Sequence, residues 1–153
     1  MTVKLSIGND HVGHRLALFL IKRLKDSGAN ILYYGAFSDD KSVDYPDYAQ
    51  RVADDIAEAR SDFGILVCRS GIGMCMAANK VHNVRAANCW NVEISQLSRE
   101  HNDANVLCIG ADFVKMDIAC DIVHIFLETK FSGGRHLKRI RKMADLETLA
   151  RNA

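Results

Sequence analysis

A short apolar run that ends in a thiol and is followed by a glycine-containing turn constrains this chain more than any other feature. Residues 63–68 are apolar at every position, which predicts a strand buried on both faces. Residues 74–81 then predict a helix, and the turn between the two holds Gly71 and Gly73. Because backbone N–H groups at a helix N-terminus lack intrahelical partners, this turn is suited to hold a negative charge beside Cys68.

Strand and helix patterns alternate along the whole chain. Predicted strands cover residues 3–7, 30–34, 63–68, 85–89 and 105–110, and predicted helices cover residues 12–27, 46–59, 74–81, 92–100, 116–128 and 136–151. The alternation predicts one α/β domain over residues 1–153, with a doubly wound, five-stranded parallel sheet flanked by helices. Because ligands of such sheets bind at the carboxyl ends of the strands, the turns after the first and third strands should face one crevice.

Length and charge narrow the classes of function. The chain has 153 residues, enough for one domain with a sizeable core. Its formal net charge is +1, so no overall field indicates nucleic acid or an anionic membrane as a partner. No run approaches the roughly 20 apolar residues of a membrane span, and the first residues lack the long apolar region of a signal peptide, so we expect a cytoplasmic protein.

The cysteines are odd in number and lack C-x-x-C spacing. They are Cys68, Cys75, Cys89, Cys108 and Cys120. Most lie in apolar runs, which is typical of reduced core thiols rather than of disulfides or zinc ligands, and we expect Cys75 to be one of these. No ligand spacing such as H-x-x-x-H indicates a metal, so we expect neither a metal nor another cofactor. Cys68 alone has a positional reason to be chemical, because N–H groups at a helix N-terminus favour a thiolate.

Two other interpretations of the glycine turn fit less well. As a dinucleotide fingerprint, Gly71-x-Gly73 fails at its third position, where Met76 stands, and it follows the third strand rather than the first. The fourth strand also ends without an acid that could hold a ribose. A Walker-type phosphate loop is excluded because no Gly-Lys-Ser/Thr follows. A simple packed thiol at Cys68 remains the plain alternative, and the neighbouring glycines favour function over it.

Polar groups follow two other elements. Asp10 and His11 lie in the turn after the first strand, where they can meet Cys68 across the crevice, although an aspartate before a helix is commonly only a cap. Residues 101–105, His-Asn-Asp-Ala-Asn, form a predicted loop before the fifth strand. Such loops are often only turns, but a histidine that titrates near neutrality is also the usual proton donor or acceptor.

The predicted terminal helix carries basic residues. Arg135 and Arg139 are four apart and so lie on one face. Two guanidiniums side by side suit a phosphate, which they can hold with paired hydrogen bonds. The alternative is a solvated basic face.

Several ordered blocks of the chain match one family. They are Asp10-His11-Val12-Gly13, Asp44-Tyr45-Pro46, Val67-Cys68 with Ser70-Gly71-Ile72-Gly73, Ala77-Ala78-Asn79-Lys80, Ser98-Arg99-Glu100-His101-Asn102-Asp103-Ala104-Asn105 and Gly133-Gly134-Arg135-His136. The chain thus resembles ribose-5-phosphate isomerase B, the galactose-6-phosphate isomerase subunits and other aldose–ketose phosphate isomerases over nearly its whole length. The resemblance implies a Rossmann-like fold and a metal-free proton-transfer isomerase. It also implies a homodimer whose sites take residues from both subunits, with the C-terminal helix at the interface, and leaves open whether dimers pair into tetramers.

The resemblance also implies a role for each matching residue. Cys68 would remove the proton next to the carbonyl, and His101 would assist opening of the sugar ring. The implied substrate-binding residues are Asp10, His11, Tyr45, Arg69, Ser70, Gly71, Ile72, Gly73, Asn102, Arg135 and Arg139. Among these, the loop after the third strand would hold the enediolate with backbone N–H groups, and the last two arginines would hold the phosphate. Tyr45 would form a wall of the pocket, and Asp10, His11 and Asn102 would bind hydroxyls.

Two positions depart from the family pattern. Arg69 stands where the family usually has glycine, and Asp112 stands where it often has a phosphate-binding arginine. We hypothesise that Arg69 either replaces the missing phosphate contact or pairs with Asp112, which would reshape the pocket. Ribose 5-phosphate is therefore the default substrate, with erythrulose 4-phosphate or allose 6-phosphate types as alternatives. A non-catalytic sugar-phosphate-binding protein is a further alternative, disfavoured because such a protein needs neither the thiol nor the histidine.

Overall fold

The structure, a computed structural model, describes residues 2–152, with side chains described through residue 148. Within these residues lie the strands β1 (Lys4–Asn9), β2 (Asn30–Tyr33), β3 (Phe63–Cys68), β4 (Ala86–Asn88) and β5 (Val106–Gly110). The helices of the same part of the chain are α1 (His14–Asp26), α2 (Tyr45–Ala57), α3 (Ile72–Ala78), α4 (Val92–Asn102), α5 (Met116–Glu128) and α6 (Arg135–Asn152). None of the helices described is long and apolar enough to cross a membrane.

The strands form one parallel sheet in the order β2-β1-β3-β5-β4. β3 lies in the middle, and its apolar run is buried, as the sequence predicts. The carboxyl ends of the central strands meet at one edge, where Asn9 pairs with Val67 and Cys68 pairs with Gly110. We call this the carboxyl edge, and the opposite one, at Phe63 and Val106, the amino edge. The chain order reverses between β1 and β3, which is where ligands bind in sheets of this kind.

Helices cover both faces of the sheet. α1, α4 and α5 pack on one face, around buried side chains such as Leu20 and Phe126. α2 and α3 pack on the other face, around Val52 and Met74. The doubly wound α/β architecture predicted from the alternating pattern is therefore confirmed.

The predicted loop at residues 101–105 is wrong in its first two positions. α4 continues through Asn102, so His101 and Asn102 occupy the last turn of the helix. The helix ends at Asp103, whose backbone is left-handed with φ 46°. Arg99 holds this end in place, because its Nη1 atom donates to Asp103 Oδ1 at 2.8 Å and to the Ala104 carbonyl at 2.6 Å. The amide-rich composition is typical of a turn, but the contacts of Arg99 extend the helix to Asn102.

A buried carboxylate joins α2 to the sheet. Asp55 is 0% exposed, and its side chain accepts hydrogen bonds from Ser6 Oγ and from Arg60 Nε, the latter at 2.6 Å. Burial raises the pKa of this carboxyl, but hydrogen bonds from Ser6, Arg60 and Tyr34 outweigh burial and hold the pKa below its ordinary value. The ionised form of Asp55 is thus a stabilising contact between α2 and β1.

Replacing Asp55 with alanine should lower the free energy of unfolding by about 2–3 kcal/mol, because buried donors lose their acceptor. Asp54→Ala, at the neighbouring and less buried position, is the control and should cost less than about 1 kcal/mol. Urea denaturation measures both values.

The cost of Asp55→Ala should also depend on pH. A carboxyl whose pKa falls on folding contributes stability above its ordinary pKa of about 3.9 and loses that contribution as the pH falls through the lowered value. The stability gap between the wild type and Asp55→Ala should therefore shrink on acidification. A gap that stays constant down to about pH 3 would show that the charge of Asp55 does not matter.

Candidate active site

The thiol of Cys68 lies at the carboxyl edge of the sheet and is held by the turn that follows it. Cys68 is 5% exposed, and the backbone N–H of Gly71 donates to its Sγ atom at 3.2 Å. The next N–H groups belong to the first turn of α3, where backbone donors lack intrahelical acceptors. The structure therefore places the thiol beside the glycine turn and the start of α3, as the sequence predicts.

Gly71 gives this turn its shape. Its φ angle is +78°, and a Cβ atom there would lie 2.2 Å from Asn88 Oδ1. The Asn88 side chain also donates from Nδ2 to the Ser70 carbonyl at 3.2 Å. Asn88 thus fixes the backbone that directs the Gly71 N–H at the thiol. The sequence pattern assigns no role to Asn88, because it indicates only that the fourth strand ends without an acidic residue.

The turn after β1 contacts the end of β3, as predicted. The Asp10 N–H donates to the Val67 carbonyl at 3.2 Å, and a Cβ atom on Gly13 would lie only 2.2 Å from the same carbonyl oxygen. Asp10 Oδ1 accepts from the Gly13 N–H at 2.8 Å within the turn, but Gly13 itself is the N-cap of α1, so the carboxylate is not the helix cap that was the alternative. His11 Nδ1 accepts from the Val43 N–H at 3.3 Å, which leaves Nε2 as its other polar atom.

The ring of Tyr45 packs against the glycine turn. It is the first residue of α2, and a Cβ atom on Gly73 would lie 2.7 Å from Cζ of its ring. The ring is partly exposed, at 40%. Its position fits the expected wall of a pocket at the carboxyl edge.

Arg69 and Asp112 form an ion pair. Arg69 Nη1 lies 2.7 Å from Asp112 Oδ2, and the Asp112 N–H donates to the Arg69 carbonyl at 3.1 Å. The second of the two arrangements hypothesised for Arg69 is therefore the one seen. Both side chains are largely exposed, so the pair contributes less than about 1 kcal/mol to stability.

A second group of site residues lies away from the crevice. His101 and Asn102 end α4 next to the amino edge, where the Asn102 carbonyl accepts from Arg85 Nε at 3.2 Å. The His101 ring stacks on His136, in the first turn of α6, with ring centroids 4.3 Å apart. We define the amino-edge cluster as five residues from α4 and from the start of α6: His101, Asn102, Arg135, His136 and Arg139. Within one chain this cluster lies far from Cys68, because the two edges of the sheet are roughly 13 Å apart.

The remaining cysteines are free thiols, like Cys68. Cys75 packs against the buried cluster of α2 and α3, as expected. A hydrogen bond from Cys108 outweighs burial and lowers the pKa of Cys75 to about 7. Among the described residues, no group of three or more His, Cys, Asp or Glu side chains is placed to hold a metal ion.

Comparison with known proteins connects this geometry to a family. Residues 5–143 match the family model described as Ribose/Galactose Isomerase. The chain belongs to the ribose/galactose isomerase family. The resemblance inferred from the sequence blocks is confirmed.

Named relatives and solved structures of this isomerase family cover almost the whole chain. Ribose-5-phosphate isomerase B of Escherichia coli K12 is 38% identical over 144 residues, which are 94% of this chain and 96% of that protein. The structure of Clostridium thermocellum ribose-5-phosphate isomerase B is 41% identical, with a TM-score of 0.94 over 96% of this chain and 99% of that one. The structure of the Mycoplasma genitalium enzyme with bound ribulose-5-phosphate is 40% identical, with a TM-score of 0.92 over 97% and 98%.

Replacing Gly71 with alanine should disable an isomerase of this design, because the new Cβ atom would collide with Asn88 and the turn would move away from the thiol. Gly28→Ala is the matched control, because Gly28 has a similar φ of +86° but open space around its Cβ position. Both changes add backbone strain of roughly 1 kcal/mol, which thermal unfolding measures. Only Gly71→Ala should also reduce kcat/KM, by about 100-fold or more. Equal activity of the two variants would contradict this assignment of the turn.

Proposed function

We propose that this chain interconverts a phosphorylated aldose and the corresponding ketose through an enediolate, with ribose 5-phosphate and ribulose 5-phosphate as the default pair. The observation that carries the proposal is the hydrogen bond from the Gly71 N–H to the Cys68 thiol at the carboxyl edge. Family membership and the relatives named ribose-5-phosphate isomerase B support it. The chain is accordingly a sugar-phosphate isomerase, an intramolecular oxidoreductase.

The proposed reaction transfers a proton between two adjacent carbons. The Cys68 thiolate removes the proton from the carbon next to the aldehyde, the C–H electrons form a carbon–carbon double bond, and the carbonyl oxygen takes up the negative charge. Backbone N–H groups of residues 70–73 stabilise this oxyanion, since donors fixed in advance favour a developing charge. Return of the proton to the former carbonyl carbon, with transfer of the hydroxyl proton between the two oxygens, gives the ketose. The step requires no net change in charge.

We assign the two groups of site residues to one site shared between two copies of the chain. The crevice of one copy holds Asp10, His11, Tyr45, Cys68 and the loop after it. In this arrangement His101 and Asn102 come from the partner subunit, with Arg135 and Arg139 to hold the phosphate. His101 would then open the sugar ring by moving a proton, and the arginines would pair with the phosphate oxygens.

Exposed apolar side chains support a homodimer. Near the carboxyl edge, Met76 is 64% exposed and Phe113 is 74% exposed. On α6, Leu146 is 65% exposed and Met143 is 41% exposed. Apolar patches of this kind mark protein interfaces, so the α6 helix of one copy can cover the carboxyl edge of the other. Whether dimers pair further into tetramers is measured directly by light scattering during size-exclusion chromatography.

Proton NMR in D₂O with four-, five- and six-carbon aldose and ketose phosphates should show deuterium entering the carbon next to the carbonyl during interconversion. Cys68→Ala should reduce the rate by at least about 1000-fold, because the base is gone. Cys120→Ala removes a half-buried thiol on α5 and is the control with unchanged rate. The fastest substrate decides between the default five-carbon substrate and the alternatives. Binding without exchange for every sugar would contradict the enzyme and favour the binding protein.

A mixed dimer should test the shared site. Cys68→Ala and His101→Gln chains should each be nearly inactive alone, because each homodimer lacks one group in both sites. Isolated through two affinity tags, the mixed dimer has one complete site, so it should recover about half of the wild-type activity. A mixed dimer of Cys68→Ala with the Cys68→Ala/His101→Gln double variant is the control and should stay inactive. No recovery in the first pairing would contradict a site built across two chains.

A further inference from the structure

His136 lies in the centre of the amino-edge cluster without an assigned role. It is only 8% exposed, and its ring is nearly parallel to that of His101, with an interplanar angle of 8° and a centroid distance of 4.3 Å. The His136 N–H donates to the Gly133 carbonyl at 3.1 Å, which fixes the backbone at the start of α6. Two flat rings in this arrangement restrict each other's rotation about the side-chain bonds.

The stack lies at the junction between α4 and α6. Beside it, the Ser132 N–H donates to the Glu100 carbonyl at 3.0 Å. The far part of α6 is tied separately, where Glu147 Oε2 lies 2.7 Å from His82 Nδ1. The position of the first turn of α6 relative to α4 therefore depends on the stack and on the hydrogen bond of Ser132.

The surroundings of the stack disfavour a positive charge on His136. Burial lowers the pKa of His136, and the nearby His101, Arg135 and Arg139 lower it further. The carboxylate of Glu100, on the facing helix, is engaged by Gln96 Nε2 at 2.8 Å. Because two protonated rings at this distance would repel each other, and the two guanidiniums also disfavour a charge there, His136 is the neutral member of the stack.

We propose that His136 is a positioning residue that holds the imidazole of His101 in a fixed plane and docks the first turn of α6 beside it. The acid–base ring and the phosphate-binding arginines then reach the partner's crevice as one preorganised unit. This inference rests on the proposed function, because it assumes that His101 acts on the substrate. His136 itself need not touch the substrate.

The test compares two replacements of His136. His136→Phe keeps a flat ring, and His136→Leu keeps bulk without one. In the leucine variant, kcat should fall by about 10- to 100-fold, since small misplacements of catalytic groups have costs of this size, and the phenylalanine variant should stay within about threefold of the wild type. His124→Leu, at an exposed position on α5, is the control and should change neither kcat nor KM.

An NMR measurement gives a readout that does not depend on activity. The Hε1 resonance of His101, identified by its absence in His101→Gln, should carry a ring-current shift in the wild type and in His136→Phe but not in His136→Leu. On acidification below the ordinary histidine pKa of about 6.5, the His136 ring should become protonated and positively charged, and the wild-type stack should then open. His136→Phe cannot be protonated and should keep the shifted resonance to lower pH.

The outcomes separate this inference from the proposed function. If His101→Gln were as active as the wild type, the proposed role of His101 would be wrong. If His101→Gln were inactive while His136→Leu kept full activity and an unchanged His101 resonance, the positioning role would be overturned. Equal loss of activity in both His136 variants, with the ring-current shift kept in His136→Phe, would also overturn it, because the imidazole of His136 would then act chemically.

Discussion

The carbonyl groups at the end of β3 are the constraint on which the site depends. The Val67 carbonyl accepts from the Asp10 N–H, and the Cys68 carbonyl accepts from the Ala111 N–H at 2.9 Å. The loops after β1 and β5 are therefore attached to the last two residues of the central strand, one on each side. The backbone that carries the Cys68 thiol is therefore held on both sides, and the Gly71 N–H donates to the sulfur at 3.2 Å. Preorganisation of this kind is what stabilisation of an oxyanion requires, since donors that must first reorient contribute less.

The direction of a parallel sheet explains why Cys68 and His101 lie apart within one chain. Each strand runs toward the carboxyl edge, and the helix that follows returns to the amino edge before the next strand begins. Residues that end strands, such as Cys68, and residues that end helices, such as His101, are therefore separated by the length of the sheet. In the shared site that we propose, the two kinds of residue meet across an interface between two copies. The exposed apolar side chains at the carboxyl edge and on α6 are consistent with such an interface.

Local patterns in the sequence were enough to predict the sheet, the order of elements and the crevice between β1 and β3. An apolar run of six residues and a turn with two glycines specify a buried strand and the turn after it almost without reference to the rest of the chain. Long-range contacts were not predictable in this way. His101 and His136 stack although 35 positions separate them in the sequence. Asn88 donates a hydrogen bond to the Ser70 carbonyl although 18 positions separate these two residues. The end of α4 was missed because the contacts of Arg99 with Asp103 and Ala104 outweigh a composition that is typical of turns.

The ion pair between Arg69 and Asp112 places a balanced pair of charges at the position where the family resemblance implies a phosphate contact. Because both side chains are largely exposed, separating them costs less than about 1 kcal/mol, whereas a guanidinium gains about 1.5–3 kcal/mol from a charge-assisted hydrogen bond to a phosphate. Arg69 can thus leave Asp112 for a phosphate that reaches it, but Asp112 would then carry an unpaired negative charge beside the same group. In the isomerase that we propose, we therefore expect a substrate whose phosphate contacts Arg69 while staying clear of Asp112. Because the length of the sugar sets the position of its phosphate, we expect the ion pair to make affinity depend on substrate length.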